Sequence, residues 1–396
     1  MNKVVITSLG VVSPIGTGRN EFFPALHGGF RGIDHISSFN TEFFPVDFGA
    51  EVRRGGKVTD STPDTDRKAL FIRTALDELY KQSAIHRYSA ANRRLYLGSG
   101  IDYFDFPGFV ENQNTSVWTD YSKRANKITE ELAREYSIEG GHSTNVAACV
   151  ASTQALGLSL RVLRYAKNIC VLSGGFDSML SHLHYMGFYN LGALSDWKGE
   201  AGGACRPFDK NRCGLVIGEG AAAFLLENAE QAEKDSILCE FAGYASGMDA
   251  YMITDPDPEG RCLADTALDA IRDAGITPDA IDAVDMHGTG TVKNAIAEKN
   301  ALALIFPDRY KSIPVFSLKG QIGHLIGACG AMELLGVIDM IKNQRVLPSI
   351  NCDEEDPELP LNIIRGEPLQ MKINYVLKLN AAFGGQNTAL VIKKYE

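Results

Sequence analysis

The sequence predicts an α/β fold in which helices cover a sheet on both faces. Strand-like and helix-like segments alternate along all 396 residues, an order typical of layered α/β proteins. The strand-like segments are apolar without alternation, as expected for strands that are covered on both faces. Glycine-rich turns follow many of them, and ligand sites in α/β proteins commonly lie at such strand ends.

In the first half, a β-branched run at Val4–Thr7 predicts a buried strand that stops at Leu9–Gly10. Residues 101–125 have no clear period and are interpreted as loop and short helix. Further strands are expected at 94–100, 168–175 and 218–227, and helices at 20–26, 66–84, 128–136 and directly after Cys149.

The second half repeats this rhythm after a polar break at 228–234. Strands are expected at 238–244, 281–286, 314–317, 375–380 and 388–392, and helices at 263–274, 295–305 and 331–342. The repetition suggests an internal duplication, with halves at 1–237 and 238–396 that form one catalytic unit.

Composition and charge exclude several classes of function. The formal net charge of -10 argues against nucleic acid as a partner, although a local basic patch can still bind an acidic protein. The eight cysteines show no ligand-spaced pair, so neither a metal site nor a disulfide framework is expected, and free thiols fit a cytoplasmic protein. No apolar run approaches the ~20 residues that span a bilayer, and the N-terminus lacks the apolar core of a signal peptide.

One thiol, Cys149, lies between very small side chains just before a helical pattern. A helix N-terminus presents unpaired N–H groups and a positive dipole end, and both favour the nucleophilic thiolate. Small neighbours would let a substrate reach the sulfur. The alternative is a buried free cysteine that acts as a small hydrophobic residue.

Three glycine-flanked turns in the second half each place polar groups at a predicted strand end: HGTGT at 287–291, KGQIGH at 319–324 and FGGQN at 383–387. A single histidine is more often structural than catalytic. Two histidines on similar turns, together with the thiol, favour a shared catalytic site over three separate structural roles.

Seven motifs spread over nearly the whole chain carry a family resemblance. They are VVITSLGVVSPIG (4–16), AACVAS (147–152), RPFDKNRCGLVIGEGAAAFLLE (206–227), DAYMITDPDPEG (249–260), HGTGT, KGQIGHLIGACG (319–330) and AFGGQN (382–387). In this order they resemble the β-ketoacyl-acyl-carrier-protein synthases of the thiolase superfamily, most closely the elongating type II class. The resemblance implies a five-layered αβαβα thiolase fold with two duplicated halves. It also implies a dimer, either a homodimer or a heterodimer with a chain-length-factor-like subunit.

The resemblance also implies roles for five residues of the site. Cys149 would be the nucleophile that takes an acyl group from a carrier-protein thioester. His287 and His324 would hold the malonyl thioester carbonyl and assist its decarboxylation, so that a β-ketoacyl product forms. Lys319 occupies the position of the lysine that orients the site, and Glu298 that of the glutamate beside it.

Other positions would bind the substrate. Thr289 and Thr291 match the threonines that contact the phosphopantetheine arm of the acyl carrier protein, and Gly384 and Gly385 are expected at the same site. Phe383 matches the phenylalanine that gates the acyl pocket, and its N–H and that of Cys149 would form the oxyanion hole. The enzyme itself is expected to bind no cofactor and no metal.

The carrier protein would contact basic residues, for which Arg67, Lys68 and Arg206 are candidates. Scattered, solvated charges are an equally good interpretation of these residues.

This chain departs from the family pattern at three positions. Ala295 stands where the elongating enzymes usually have an Asp, eight residues after the first histidine. Ala381 and Ala382 stand where Phe-Gly is common. A small side chain at 381 could widen the acyl pocket, which suggests an unusual acyl chain or a specialised pathway. The expected pathways are fatty acid, polyene or polyketide biosynthesis.

Two alternatives are open at this stage. A non-catalytic partner subunit of a ketosynthase heterodimer usually lacks the cysteine, so Cys149 argues against that role. A thiolase that uses coenzyme A would carry a second cysteine near the C-terminal glycine loop, where this chain has Phe383.

Overall fold

The computed structural model describes residues 1–54, 57–58, 67–101 and 124–396. The predicted loop and short helix at 101–125 lies mostly outside the described residues. The helices of the described part are α1 (Arg19–His27), α2 (Arg67–Gln82), α3 (Ala125–Glu135), α4 (Ala151–Tyr165), α5 (His182–Asn190), α6 (Arg261–Asp273), α7 (Val292–Ile305), α8 (Lys319–Ile322) and α9 (Cys329–Asn343).

The strands of the described part include every strand that the sequence predicts. They are β1 (Val4–Ser13), β2 (Gly16–Thr17), β3 (Asp34–His35), β4 (Phe48–Ala50), β5 (Arg53–Arg54), β6 (Lys57–Val58), β7 (Arg93–Ser99), β8 (His142–Val146), β9 (Cys170–Ser178), β10 (Ile217–Asn228), β11 (Cys239–Met248), β12 (Ala283–Asp285), β13 (Pro314–Phe316), β14 (Arg345–Val346), β15 (Asn362–Ile363), β16 (Leu369–Gln370), β17 (Tyr375–Ala382) and β18 (Gln386–Lys393).

The strand pairings follow the same pattern in the two parts of the chain. In the first, β1 pairs antiparallel with β10 and β10 with β9, and then β9, β7 and β8 run parallel. In the second, β11 pairs antiparallel with β18 and β18 with β17, and then β17, β12, β13 and β15 run parallel. An antiparallel contact between β1 and β11 joins them.

Helices cover these strands in three layers. One outer layer contains α2 and α3, which pack on β1 and β7–β10, and the other contains α6 and α7 beside β11, β17 and β18. Between the two groups of strands, α4 packs against α9, and each of them contacts strands of both groups. Every residue of α9 from Cys329 to Ile341 is buried, as expected for a helix enclosed on all sides. The predicted five-layered αβαβα arrangement is therefore confirmed.

The structure differs from the sequence-based predictions at two strands. The first strand does not stop at Gly10 but continues to Ser13, because this glycine permits close packing rather than a turn: a Cβ there would lie 1.9 Å from the Ala75 oxygen of α2. The strand His142–Val146 was not predicted, because its polar, partly exposed residues carry no apolar pattern. Within the described residues, no helix is long and apolar enough to cross a membrane.

Candidate active site

Cys149 lies in a 3-10 turn, Ala148–Val150, that connects β8 to α4. Ala148 adopts a left-handed backbone conformation with φ of 45°, which costs a non-glycine residue about 1–3 kcal/mol. Such strain persists only where the surroundings impose it, and here it sets the direction in which the next side chain leaves the backbone. The sequence therefore forms a sharp elbow that presents one thiol at the start of the central helix.

The thiol of Cys149 is not the resting thiolate that the helix N-terminus led us to expect. Burial raises its pKa to about 12, although the nearby Lys319 ammonium acts in the opposite direction. The loss of hydration in a dry pocket outweighs the favourable field of the helix. A nucleophilic role for this sulfur would therefore require it to lose its proton during the attack.

His287 follows β12, and its side chain accepts hydrogen bonds at one ring nitrogen. The Lys319 ammonium lies 3.2 Å and the Asn380 amide nitrogen 3.3 Å from His287 Nδ1. Because an ammonium can only donate, Nδ1 accepts and the ring proton is on Nε2. Burial, and then the charge of Lys319, hold the pKa of this imidazole well below its ordinary value, so it stays neutral.

His324 follows α8 and is held in the same tautomer. Its Nδ1 accepts the backbone N–H of Ile326 at 3.1 Å, and the Cys329 sulfur lies 3.6 Å from the same nitrogen. Burial, followed by the charge of Lys319, lowers the pKa of His324 to about 3. Both histidines are thus neutral near pH 7, and each carries its proton on Nε2.

The fold brings the three predicted groups together. The Cys149 sulfur and one nitrogen each of His287 and His324 all lie within 4.8 Å of one another, and all three residues are buried. The two imidazole rings are 5.2 Å apart between centroids and nearly perpendicular. Cysteine and histidine also bind zinc. Here the donors at each Nδ1 leave a proton on each Nε2, and this arrangement favours hydrogen bonding to a substrate oxygen over metal ligation.

An ion pair lies directly behind His287. The ammonium of Lys319 donates to the carboxylate of Glu333 on α9 and to the backbone oxygen of His287. Burial disfavours the charged form of Lys319, but Glu333 outweighs it and the pKa of Lys319 is raised. Burial acts against ionised Glu333 too, yet Lys319 and the nearby Lys378 bring its pKa below the ordinary value. Both groups are therefore charged.

A cavity of about 710 Å³ opens in front of these residues. Its lining includes the three reactive side chains as well as Thr289 and Thr291, whose hydroxyl groups are 2.8 Å apart. Phe383 also lines it, next to Phe188, with ring centroids 6.4 Å apart. The space is large enough for an extended thioester chain that ends at the sulfur.

Comparison with known proteins identifies the family. The chain matches the model of the beta-ketoacyl synthase N-terminal domain over residues 1–232 and that of the C-terminal domain over residues 238–353. It is 30% identical to the 3-oxoacyl-[acyl-carrier-protein] synthase 2 of Coxiella burnetii, over 99% of this chain and 98% of that protein. The same enzyme from Synechocystis is also 30% identical, over 100% and 98% of the two chains.

This chain belongs to the β-ketoacyl synthase family.

Solved structures of ketosynthases share its fold. One match is to a complex described as a type II polyketide synthase acyl-carrier protein with its ketosynthase bound to the hexaketide. The TM-score is 0.90 and the identity 27%, over 100% of both chains. A beta-ketoacyl synthase from Burkholderia phymatum gives 0.85 and 28%, again over 100% of both chains. The thiolase-type fold and the condensing activity implied by the motifs are confirmed.

The charge of Lys319 acts on Glu298, the glutamate expected beside it, but Lys319 forms its hydrogen bond with a different glutamate. Glu298 accepts the backbone N–H groups of His287 and Gly288, at 2.6 and 2.9 Å, and the Asn294 amide at 2.6 Å. These bonds hold the turn that carries the histidine. The carboxylate bonded to Lys319 is that of Glu333, which sequence reasoning missed; its signal was a single acidic residue within an otherwise apolar stretch of α9.

Two of the three cations proposed to contact the carrier protein are buried, and the third, Arg67, is partly exposed but already paired. Arg67 is bonded to the buried carboxylate of Glu219, and Lys68 is only 3% exposed. Arg206 is paired with Asp209 and Asp353 and covers the ring of Trp197. Arginine and lysine need partners when buried, and these side chains interact with groups of the fold itself. That prediction is therefore corrected.

The three departures from the family pattern lie in two places. Ala381 and Ala382 both line the cavity, whereas Ala295 is buried in the outer core formed by α6 and α7. The alanines at 381 and 382 are thus placed to affect the space that the substrate occupies. The glycines Gly384 and Gly385 follow Phe383 in the turn between β17 and β18.

Proposed function

We propose that this chain joins an acyl-thioester to malonyl-acyl-carrier protein by decarboxylative Claisen condensation, with Cys149, His287 and His324 as catalytic residues. One observation carries the proposal: a buried thiol and two neutral imidazoles, each held as the Nε2–H tautomer, share a cavity. A non-catalytic partner subunit would need neither the thiol nor the two imidazoles.

In the first half-reaction, the Cys149 sulfur attacks the acyl-thioester carbonyl and forms a C–S bond. The bond from that carbonyl to the carrier thiol breaks, and the carrier sulfur leaves with the proton that Cys149 gives up. The backbone N–H groups of Cys149 and Phe383 would stabilise the tetrahedral oxyanion. Removal of one such donor typically costs about 10²–10³ in rate.

In the second half-reaction, the bond between the malonyl carboxylate and Cα breaks and CO2 leaves. The electron pair stays on Cα and is shared with the thioester oxygen, which accepts Nε2–H bonds from His287 and His324. The carbanion attacks the acyl carbonyl on Cys149, so that a C–C bond forms and the C–S bond breaks. The released sulfur regains a proton. Neutral donors suit this step, because they stabilise the enolate oxygen without protonating Cα.

The substrates reach the site on an acyl carrier protein. Its phosphopantetheine arm would lie along the cavity and contact Thr289, Thr291 and the turn at Gly384–Gly385. This arm belongs to the substrate, so the enzyme needs no cofactor of its own. Because the solved relatives include ketosynthases with an acyl-carrier protein and with a chain length factor, we infer that this chain also works as a homodimer or heterodimer.

We also infer that residues 1–237 and 238–396 act as one catalytic unit, because the first contributes the thiol and the second both histidines. The eight free thiols support a reducing, cytoplasmic setting for the enzyme. The small side chains at Ala381 and Ala382 support an unusual acyl chain, as in polyene or polyketide synthesis.

The proposed chemistry is tested by replacing the nucleophile. With an acyl-carrier thioester and malonyl-acyl-carrier protein, the Cys149→Ala variant should form at least about 10³-fold less 3-oxoacyl product, measured by mass spectrometry. The matched control is Cys262→Ala. That thiol is half-buried and lies outside the cavity, so the control should retain wild-type activity.

Two outcomes would contradict the proposal. Product formation by Cys149→Ala at the wild-type rate would remove the thiol from the mechanism. A wild type that makes no product alone, but restores product when a catalytic subunit is added, would show the chain to be a non-catalytic partner.

A further inference from the structure

A second lysine, Lys378 on β17, is fully buried behind the reactive groups, and the mechanism above does not use it. Its ammonium donates to Glu333 Oε2 at 2.5 Å and to Asn380 Oδ1 at 2.8 Å, and lies 3.4 Å from Asp285 Oδ2. Lysine is almost never fully buried without partners, and every partner of this one lies on an element that supports His287.

The contacts of Lys378 lead to His287 by two routes. Asn380 Oδ1 accepts hydrogen bonds from Lys378 and from the Thr153 hydroxyl, both at 2.8 Å. The amide nitrogen of Asn380 therefore points away from these two donors. That nitrogen lies 2.7 Å from Glu333 Oε2 and 3.3 Å from His287 Nδ1. The second route runs from Lys378 through the Glu333 carboxylate to the ammonium of Lys319, which also donates to this ring nitrogen.

Acidic and basic groups face each other in this buried cluster. Two ammonium groups, Lys319 and Lys378, face the ionised Glu333 and the carboxyl group of Asp285, and all four side chains are buried. Burial raises the pKa of Asp285 to about 7, although Lys378 acts in the opposite direction. Among the described residues, neither carboxylate oxygen of Asp285 accepts a hydrogen bond, so its nearby charge partner is Lys378. Removal of Lys378 alone would leave the two buried carboxyl groups with one ammonium, and a buried ion that loses its partner is strongly destabilising.

We propose that Lys378 is a positioning residue for condensation: it orients Asn380 and Glu333 so that His287 Nδ1 is held as an acceptor and Nε2–H faces the substrate oxygen. This inference rests on the proposed function. It predicts a role in the enolate-forming half-reaction and none in the transfer of the acyl group to Cys149.

The test removes the buried lysine together with the acidic group that faces it. In Lys378→Met/Asp285→Asn, one ammonium and one carboxyl group are lost together, and the Lys319–Glu333 pair stays intact. A second variant, Asn380→Ala, removes the amide route and leaves all four ionisable groups in place. The matched control is Lys393→Met, because Lys393, the last residue of β18, forms a partly exposed ion pair with Glu240 of β11, 3.6 Å away.

Both site variants should lower the kcat for 3-oxoacyl product by about 10- to 100-fold, the usual cost of losing groups that orient a functional histidine. The KM for malonyl-acyl-carrier protein and the rate of Cys149 acylation, followed by intact-protein mass, should match those of the wild type and of Lys393→Met. Selective loss of kcat separates positioning from general damage to the fold.

The inference is overturned if Asn380→Ala keeps the wild-type kcat, or if both variants lose acylation and condensation in the same proportion. If the wild type itself forms no 3-oxoacyl product, the proposed function fails and this inference fails with it. If the wild type condenses and the site variants match it, the inference alone fails.

Discussion

At the scale of single residues, the site depends on protonation states that burial determines. The two histidines stay neutral because a charged imidazole would lose its hydration and face the Lys319 ammonium. The same burial keeps Cys149 as a thiol until a substrate arrives. Each of these three side chains is thus uncharged, while the charged pair of Lys319 and Glu333 lies behind His287.

The size of residue 381 should determine which acyl chains fit. Ala381 is 8% exposed and lines the cavity, so the Ala381→Phe variant would fill part of the space now open to substrate. We expect kcat/KM for the longest accepted acyl chain to fall by about 10-fold or more relative to short chains. A panel of acyl-carrier thioesters of increasing length measures this shift.

The control for this variant is Leu304→Phe, which adds a similar ring on an exposed face of α7, outside the cavity. Its chain-length profile should equal that of the wild type. If Ala381→Phe also gives the wild-type profile, the small side chain at 381 does not determine the acyl chain, and the suggestion of an unusual pathway loses its support.

At the scale of elements, turns rather than regular strands or helices carry the reactive groups. The elbow before α4 carries Cys149, and turns after β12 and α8 carry His287 and His324. A further turn, between β17 and β18, contacts the segment 249–257, where the Gly384 N–H donates to the Ile253 oxygen at 2.6 Å. The rigid layers place these turns at one cavity.

Two neighbouring glycines in the β17–β18 turn should respond differently to alanine. Both have positive φ, 83° at Gly384 and 76° at Gly385, which costs alanine about 1–2 kcal/mol. A Cβ at Gly384 meets open space, whereas one at Gly385 would lie 2.1 Å from the Asp249 carboxylate. Asp249 accepts the N–H groups of Tyr251 and Asp257 and so holds the segment that lines the cavity.

We therefore expect Gly385→Ala to lose more stability than Gly384→Ala in urea denaturation, and to raise the KM for acyl-carrier thioesters as well. The Gly384 variant serves as the matched control for the shared backbone strain. Equal losses of stability in the two variants would mean that the contact with Asp249 has no effect beyond that strain.

At the scale of the whole molecule, the site lies at the centre of a layered fold, and the same layers that form the core bury its side chains. The elbow that carries Cys149 precedes the central helix α4, Glu333 lies on the central helix α9, and the packing of both helices between two groups of strands encloses the rear of the site. This arrangement couples catalysis to global stability, because neutral imidazoles are enclosed only while the layers stay together.

The pH dependence of unfolding should reveal this coupling. The pKa of His324 is about 3 in the folded protein, against an ordinary value of 6.5, so only the unfolded chain binds this proton between those values. The stability of the folded state should therefore fall as the pH drops below 6.5, with His324 contributing up to about 1.4 kcal/mol per pH unit.

The measurement is the free energy of unfolding in urea at several pH values from 7.5 to 4 for the wild type and His324→Asn. In the variant, the Asn oxygen can accept the Ile326 N–H but takes up no proton in this range, so its stability should fall less steeply towards low pH. Parallel curves for the two proteins would contradict the neutral, buried state of His324.

The sequence by itself determined most of the strands and helices, the family, and the choice of Cys149, His287 and His324 as candidate site residues. These features depend on local apolar patterns and on motifs that each occupy a few consecutive residues. Only the tertiary structure decided that Glu333 rather than Glu298 bonds to Lys319, that Lys68 and Arg206 are buried, that Arg67 is paired with Glu219, and that Lys378 lies behind His287. Each of these depends on burial and on contacts between residues far apart in the chain, which no local pattern encodes.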